Sequence, residues 1–331
     1  MKDKEMEKKI TSVLEALVTG DAMGMPTEFM TRKEIIEKFD GWVTCLIDTN
    51  ESKLHKDLKT GSVTDDSEEN LFLLEEYEKA GKVTVEATVN GLLKWVSETD
   101  AIEKKYIGPS ALKSLNDIKR GVSPYESGKR GNTCGGLMRT PCAFLCAPNQ
   151  TEEELAVNIL RCLVPTHNTS EAMEAAGAYG FALRSAFHGS CFEEIIEAAM
   201  RGGERLVEFV EEINSAPSSR ARIREIIIKS REMEESQLMD WLHEVLGNGL
   251  SSADVCGAVF GAFAMAGGDV FKAICMGASM GGDTDTIAAL AGALSAAFVG
   301  NHNIPGKILE TVKCVNHLEL ERLSEHALDI S

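Results

Sequence analysis

Basic residues, aromatic side chains and long apolar runs are all scarce in this chain of 331 residues. Lysine and arginine number 34 against 52 aspartates and glutamates, and this formal net charge of −18 argues against a nucleic-acid-binding surface. Aromatic residues make up only 6%, and alanine and glycine are plentiful, which favours close helix packing over a large sheet. No apolar run approaches the ~18 residues of a membrane span, so we expect no membrane partner.

The cysteines also lack the spacing of a zinc site or of a disulfide framework. There are nine, an odd number, and they are scattered along the chain without a C-x-x-C pair. This pattern predicts reduced thiols in a cytoplasmic protein. The first nine residues are mostly charged and include no apolar segment of a signal peptide, which agrees with a cytoplasmic location.

Helical periodicity dominates the rest of the sequence. Apolar residues recur at helical spacing in 5–19, and the glycines and proline of 20–26 predict the end of that first helix. Residues 40–63 form a long irregular loop, and loops of this length are often functional. Because no alternating strand, repeat or linker is found, we predict an all-α protein, a single compact multi-helix domain over residues 1–331.

Start signals support further helices. Thr31 with Glu34, and Thr151 with Glu154, have the spacing of capping boxes. Pro109 lies near the start of another apolar helical pattern, where proline is well tolerated.

Two acidic clusters stand at predicted helix entrances. Their sequences are Gly281-Gly282-Asp283-Thr284-Asp285-Thr286 and Thr64-Asp65-Asp66-Ser67. Each offers two carboxylates beside hydroxyls, although a helix cap needs only one such residue. Side chains two apart within a helix point about 200° away from each other, so Asp283 and Asp285 converge only from a loop and first turn.

If the two entrances meet, four carboxylates share one site, and such a site requires cations to neutralise it. Two Mg²⁺ or Mn²⁺ ions match these oxygen ligands. The absence of clustered cysteine or histidine argues against Zn²⁺. Two independent helix caps are the alternative, and spacing alone does not decide between them.

The motifs together resemble those of the ADP-ribosylglycohydrolase family. The matching segments, in the family's order, are Asp21-Ala22-Met23-Gly24 with Glu28, then Thr64-Asp65-Asp66-Ser67, then the segment from Gly281 to Ala288. The resemblance covers residues 10–320. It implies an all-α fold of the ADP-ribosylglycohydrolase type and a binuclear centre of two Mg²⁺ ions, with Mn²⁺ possible.

The resemblance also implies roles for individual residues. The implied metal ligands are Thr64, Asp65, Asp66, Asp283, Asp285 and Thr286. Glu28 matches a glutamate that lies by the metals and assists catalysis, and a solvated loop carboxylate is the alternative. Either Glu28 or Asp66 is a candidate to take the proton from an attacking water.

The glycine-rich stretch departs from the family pattern G-N-G-x-x-M-R. It reads Gly131-Asn132-Thr133-Cys134-Gly135-Gly136-Leu137-Met138-Arg139. Aligning Gly131-Asn132 with the pattern leaves two extra residues before Met138-Arg139, whereas aligning Met138-Arg139 puts Thr133-Cys134 where Gly-Asn is expected. Asn132, Gly135 and Gly136 are candidate substrate-binding residues, because amides at a helix start can hold a pyrophosphate. Arg139 could pair with a phosphate or neutralise a core carboxylate. His167 could contact phosphate or ribose, hold its loop, or cap a helix.

The implied reaction is Mg²⁺-dependent hydrolysis at C1″ of the distal ribose of ADP-ribose, joined by an N- or O-glycosidic bond to a protein side chain or small acceptor. The implied partners are ADP-ribosylated proteins or small-molecule ADP-ribose conjugates, and we expect a monomer. One alternative is hydrolysis of a smaller nucleotide-derived or glycosyl substrate. The other is a non-catalytic ADP-ribose-binding protein.

Overall fold

A computed structural model describes residues 2–211 and 213–326, and these residues form an α-helical structure. The helices are α1 (Lys2–Gly24), α2 (Arg32–Phe39), α3 (Asp65–Ala80), α4 (Val85–Thr99), α5 (Pro109–Lys119), α6 (Pro124–Ser127), α7 (Gly135–Met138), α8 (Thr140–Leu145), α9 (Glu152–Leu163), α10 (Ser170–Phe187), α11 (Phe192–Val207), α12 (Ser219–Ser230), α13 (Glu235–Trp241), α14 (Ser252–Ala266), α15 (Val270–Ser279), α16 (Thr284–Val299), α17 (Gly306–Val315) and α18 (Leu320–His326). The 3₁₀ helices Met25–Thr27 and Thr49–Glu51 and the π-helix Leu242–Leu246 complete the regular structure.

The predicted all-α class is confirmed. The described residues contain no β-sheet, and their one isolated antiparallel bridge joins Thr133 to Ser251. All nine cysteines are free. No helix in the described part of the chain is long and apolar enough to cross a lipid bilayer.

Helix α1 packs directly along α16, which is buried over most of its length. A Cβ on Gly20 would overlap the carbonyl oxygen of Ala288, and one on Gly24 would overlap that of Thr284. The first helix ends at Gly24, within the predicted region 20–26, but Gly20 does not break it, because both glycines let two helix backbones approach closely. As a result α1 continues to Gly24 and delivers Glu28 to the N-terminal end of α16.

The predicted start signals of three helices are confirmed. Thr31 and Thr151 each form a capping box with the glutamate three residues later. Helix α5 begins at Pro109, as predicted. The loop 40–63 is irregular apart from one 3₁₀ turn, and it lies beside the end of α1.

Candidate metal centre

Two loops pair with each other at the N-terminal end of α16 and form the base of the site. The amide of Phe29 donates to the carbonyl of Gly282 at 2.8 Å, and the amide of Gly282 donates to the carbonyl of Met30 at 2.9 Å. Gly281 and Gly282 have φ angles of 79° and 75°, a left-handed backbone that favours glycine. The two glycines therefore give the turn that brings the acidic residues after them into the site.

Asn248 fixes the same turn from the other side, a role that could not be predicted from its place in a Gly-Asn-Gly segment. Its side-chain amide donates to the carbonyls of Met280 and Gly281 at 3.0 and 2.7 Å. Its backbone carbonyl accepts from the amide of Asp283 at 2.9 Å. This buried residue thereby sets the direction in which Asp283 leaves the backbone.

Five carboxylates converge on one cleft of about 160 Å³ between the N-terminal ends of α3 and α16. They belong to Glu28, Asp65, Asp66, Asp283 and Asp285. One carboxylate oxygen each of Glu28, Asp283 and Asp285 lies within 4.8 Å of the others, a spacing that a single cation can bridge.

The two acidic clusters are in direct contact. The hydroxyl of Thr286 donates to Oδ2 of Asp66 at 3.1 Å. Thr64 and Asp283 occupy the positions before α3 and α16, but neither side chain accepts a capping hydrogen bond from its helix. The alternative of two independent helix caps therefore does not describe these residues.

Asp21 holds the first cluster in place from behind. Its carboxylate accepts hydrogen bonds from the amide and hydroxyl of Thr64, at 2.9 and 2.8 Å, and from the amide and hydroxyl of Ser67, at 3.0 and 2.5 Å. Thr64 is fully buried and is not part of the cleft lining, although its hydroxyl oxygen keeps a lone pair for a cation. Asp21 thus connects the end of α1 to the start of α3.

The cleft is electrostatically unfavourable for its own carboxylates. Burial is the main cause that raises the pKa of Asp65, Asp66 and Asp285 well above the usual value, and neighbouring carboxylates raise it further. Burial also raises the pKa of Asp283 to about 6. Oδ1 of Asp66 is buried without a hydrogen-bond partner among the described residues. Carboxylate and hydroxyl oxygens with unused capacity fit a hard divalent cation.

His55 contacts Glu28, and this contact was not predicted from the sequence. The only signal was that His55 lies in the long loop 40–63. Its Nε2 lies 2.6 Å from Oε2 of Glu28, and the two side chains are 1% and 12% exposed. Lys53 donates to the carbonyl of Phe29 at 3.0 Å and so fastens the same loop. Glu28 is consequently a paired, largely buried carboxylate rather than a solvated one.

The glycine-rich stretch reaches the cleft only in part. Gly135 starts α7 and lines the cleft together with Thr133 and Cys134. The thiol of Cys134 donates to Oδ2 of Asp283 at 2.8 Å, and burial raises the pKa of this thiol well above its usual value. Asn132 is exposed and lies outside the cleft lining.

Arg139 lies in the core. It is fully buried, pairs with Glu69 at 3.1 Å, and donates to the carbonyl of Cys162 and the hydroxyl of Thr166. Of the two possibilities raised by the sequence, the geometry matches neutralisation of a core carboxylate. The structure does not bring Arg139 to the cleft.

His167 is also fully buried and is bonded at both ring nitrogens. Nδ1 lies 2.8 Å from the hydroxyl of Thr166, and Nε2 lies 3.0 Å from that of Thr133. A Cβ on Gly135 or Gly136 would press against the His167 side chain. Burial, with the charge of Arg139, lowers the pKa of His167 well below its usual value. The contacts place this histidine as a support for the glycine-rich stretch.

Comparison with known proteins agrees with these motifs. The sequence matches the family described as ADP-ribosylglycohydrolase over residues 2–330. It is 26% identical over 321 residues to the uncharacterised protein YegU of Escherichia coli (strain K12), covering 95% of this chain and 94% of that protein. An uncharacterised protein of Archaeoglobus fulgidus is 28% identical over 320 residues, with the same coverage of both chains.

A solved structure titled as an ADP-ribosylglycohydrolase-related protein complex has the same fold. It aligns with a TM-score of 0.73 over 99% of each chain, at 23% sequence identity. The predicted fold type is therefore confirmed.

Proposed function

This chain belongs to the ADP-ribosylglycohydrolase family, and on that premise we propose that it is a single-domain, metal-dependent hydrolase of ADP-ribose conjugates. The bond cleaved is the glycosidic bond at C1″ of ADP-ribose attached to a protein side chain or a small acceptor. The observation that carries the proposal is the convergence of five carboxylates on one cleft.

We assign two Mg²⁺ ions to this cleft, and Mn²⁺ would suit the same ligands. The proposed ligands are Thr64, Asp65, Asp66, Asp283, Asp285 and Thr286. The raised pKa values of the aspartates and the unpaired oxygen of Asp66 support this assignment. When bound, the ions supply positive charge that neutralises the carboxylates and polarises the hydroxyls of the ribose and a water molecule.

Glu28 is our preferred base for the attacking water. Its side chain is 12% exposed, whereas Asp66 as a residue is only 2% exposed and is among the proposed metal ligands. His55 holds one oxygen of Glu28 and leaves the other free to accept a proton. The carboxylate of Glu28, which is not among the proposed metal ligands, also supplies negative charge that favours the oxocarbenium-like state through which glycosidic bonds break.

The test uses proteins ADP-ribosylated on arginine or on serine, incubated with the enzyme in the presence of Mg²⁺ or of a chelator. Release of ADP-ribose is measured by chromatography. We expect release with Mg²⁺ only, and we expect Asp283→Ala to abolish it. Asp57→Ala, which removes an exposed aspartate outside the cleft lining, is the matched control. A wild-type protein inert on every conjugate would contradict the proposal.

One observation favours a second candidate, hydrolysis of a smaller nucleotide-derived or glycosyl substrate. The cleft of about 160 Å³ is smaller than the ~300–1,000 Å³ of usual small-molecule sites. Nucleosides and sugar-linked nucleotides should be assayed under the same conditions, and turnover of these alone would favour the second candidate. Tight ADP-ribose binding without turnover of anything would instead indicate a non-catalytic binding protein.

A further inference from the structure

Lys105 is the one cation among the described residues that line the cleft. The same lining contains five carboxylates. Arg139, the cation within the glycine-rich stretch, is paired with Glu69 in the core. An anionic substrate that enters this cleft therefore has one candidate side-chain partner of opposite charge.

The backbone at Lys105 is unusual for such a residue. Its φ is 63°, in the left-handed region that favours glycine. Phe29, at 57°, is the other non-glycine residue of this kind in the cleft lining, whereas Asp40 and Asp100 simply end α2 and α4. Strained backbone held in place by its surroundings is a common property of ligand-binding sites.

The loop that carries Lys105 is firmly anchored. The next residue, Tyr106, is buried, and its hydroxyl donates to Glu68 of α3 at 2.7 Å. The indole of Trp95 donates to the same carboxylate at 2.8 Å. Lys105 is thus held near the acidic start of α3, and its ammonium has no ion-pair partner within residues 2–211 and 213–326. Its neighbour Lys104 instead lies over the Tyr106 ring, 5.9 Å from the centroid.

We propose that Lys105 binds the phosphate groups of the substrate and makes the cleft selective for phosphate-bearing glycosides over uncharged ones. This inference rests on the proposed function, because phosphate enters only after cations neutralise the carboxylates. A lysine ammonium is a compact point charge with three donors, and it binds phosphate oxygens without demanding one geometry.

Binding is measured by calorimetry with Mg²⁺ present, using ADP-ribose, inorganic pyrophosphate and ribose as probes. Lys105→Ala should weaken the binding of ADP-ribose and of pyrophosphate by about tenfold, as expected for the loss of a hydrogen bond to a charged group. The loss should shrink at high salt, since this side chain is exposed. Ribose binding should not change, and neither should any binding to the matched control Lys104→Ala.

Lys105→Gly separates binding from folding. Glycine adopts the left-handed backbone without strain, so this variant should unfold at the wild-type temperature or higher. It should nevertheless bind ADP-ribose as weakly as Lys105→Ala does. Loss of affinity together with unchanged stability would assign the effect to the missing ammonium.

These measurements need no turnover, so the inference and the proposed hydrolysis can fail separately. An affinity of Lys105→Ala equal to the wild type, or an equal loss in Lys104→Ala, would overturn the inference. So would an equal loss for ribose, or a wild type that binds neither ADP-ribose nor pyrophosphate. If Lys105→Ala weakens the binding of ADP-ribosylated proteins but not that of free ADP-ribose, Lys105 contacts the acceptor, and the inference is overturned.

Discussion

The acidic cleft and the adjoining glycine-rich stretch are both rich in buried polar groups, but they differ in how those groups are paired. In the cleft, Oδ1 of Asp66 has no partner among the described residues. In the glycine-rich stretch, Arg139 donates to three different residues, and His167, which supports the stretch, is bonded at both ring nitrogens. Oε1 of Glu69, the core partner of Arg139, is buried without a partner in the described part of the chain as well, but only Asp66 of these two acidic residues lies in the cleft lining, where a ligand could complete its pairing.

This difference separates two kinds of motif residue. The aspartates of the cleft are held at a cost to stability, as their raised pKa values indicate, and binding of the proposed cations would remove that cost. Arg139 and His167 are surrounded by partners that the chain itself supplies. Substitutions in the two regions should therefore have opposite effects on activity and on stability.

The largest effect is expected from Asp66→Asn. Asparagine keeps an acceptor for the Thr286 hydroxyl but removes the charge, so kcat should fall by about 10³-fold while the metal-free protein unfolds at the same temperature or higher. Steady-state kinetics at saturating Mg²⁺ and thermal unfolding test both parts. A variant with nearly wild-type kcat would remove Asp66 from the metal centre.

Arg139→Met should have the opposite result. It leaves the buried carboxylate of Glu69 without its partner, so the free energy of unfolding should fall by about 3–5 kcal/mol. The double variant Arg139→Met/Glu69→Leu should recover most of the loss, and KM per folded molecule should change little in either. Denaturant unfolding measures the stability. A stable single variant with a greatly raised KM would show instead that Arg139 contacts substrate.

His55→Ala tests the pairing that holds Glu28. Loss of a group that orients a catalytic carboxylate should lower kcat by about 10–100-fold and leave substrate binding largely unchanged. The chain offers a matched control in His302, whose Nε2 lies 2.8 Å from Oε2 of Glu15 outside the cleft. If His302→Ala lowers kcat as much as His55→Ala does, the effect is a general loss of packing.

The smallest effect is a pH dependence of the metal-free protein. Burial raises the pKa of Asp283 from 3.8 in the unfolded chain to about 6 in the folded protein. The protonated Asp283 therefore stabilises the folded state fully below the unfolded-state pKa, and this stabilisation is lost as the pH rises through the folded-state pKa. The unfolding temperature should therefore drop by about 2–5 °C between about pH 5 and pH 7, and Mg²⁺ should reverse the drop. Differential scanning calorimetry with and without Mg²⁺ measures both. A metal-free protein that gains stability over this interval would contradict the raised pKa.

Local sequence patterns predicted the features that depend on neighbouring residues. Thr31 with its capping box and the proline start of α5 both follow from spacing and side-chain chemistry. Spacing left open whether the two acidic clusters meet, and the structure shows their contact between Thr286 and Asp66. The family motifs added which acidic residues belong together. The Mg²⁺ roles of these residues stay predictions that the experiments above address.

Features that depend on a distant partner could not be predicted. Gly20 signals the end of a helix unless the backbone of Ala288 is known to press against it. Arg139 suits a phosphate as well as it suits Glu69, and only the fold brings Glu69 across from it. His55 carries no motif, because its importance comes from the position of Glu28 in space.

The close packing of α1 against α16 has a consequence for synthesis of the protein. The cleft takes Glu28 from the region after α1, Asp65 and Asp66 from α3, and Asp283 and Asp285 from the region around the start of α16. Contacts of such long sequence separation form slowly, and chains are made from the N-terminus. A nascent chain cannot complete the carboxylate cluster until α16 has left the ribosome, so the proposed metal ions would bind only after nearly all of the chain has been made.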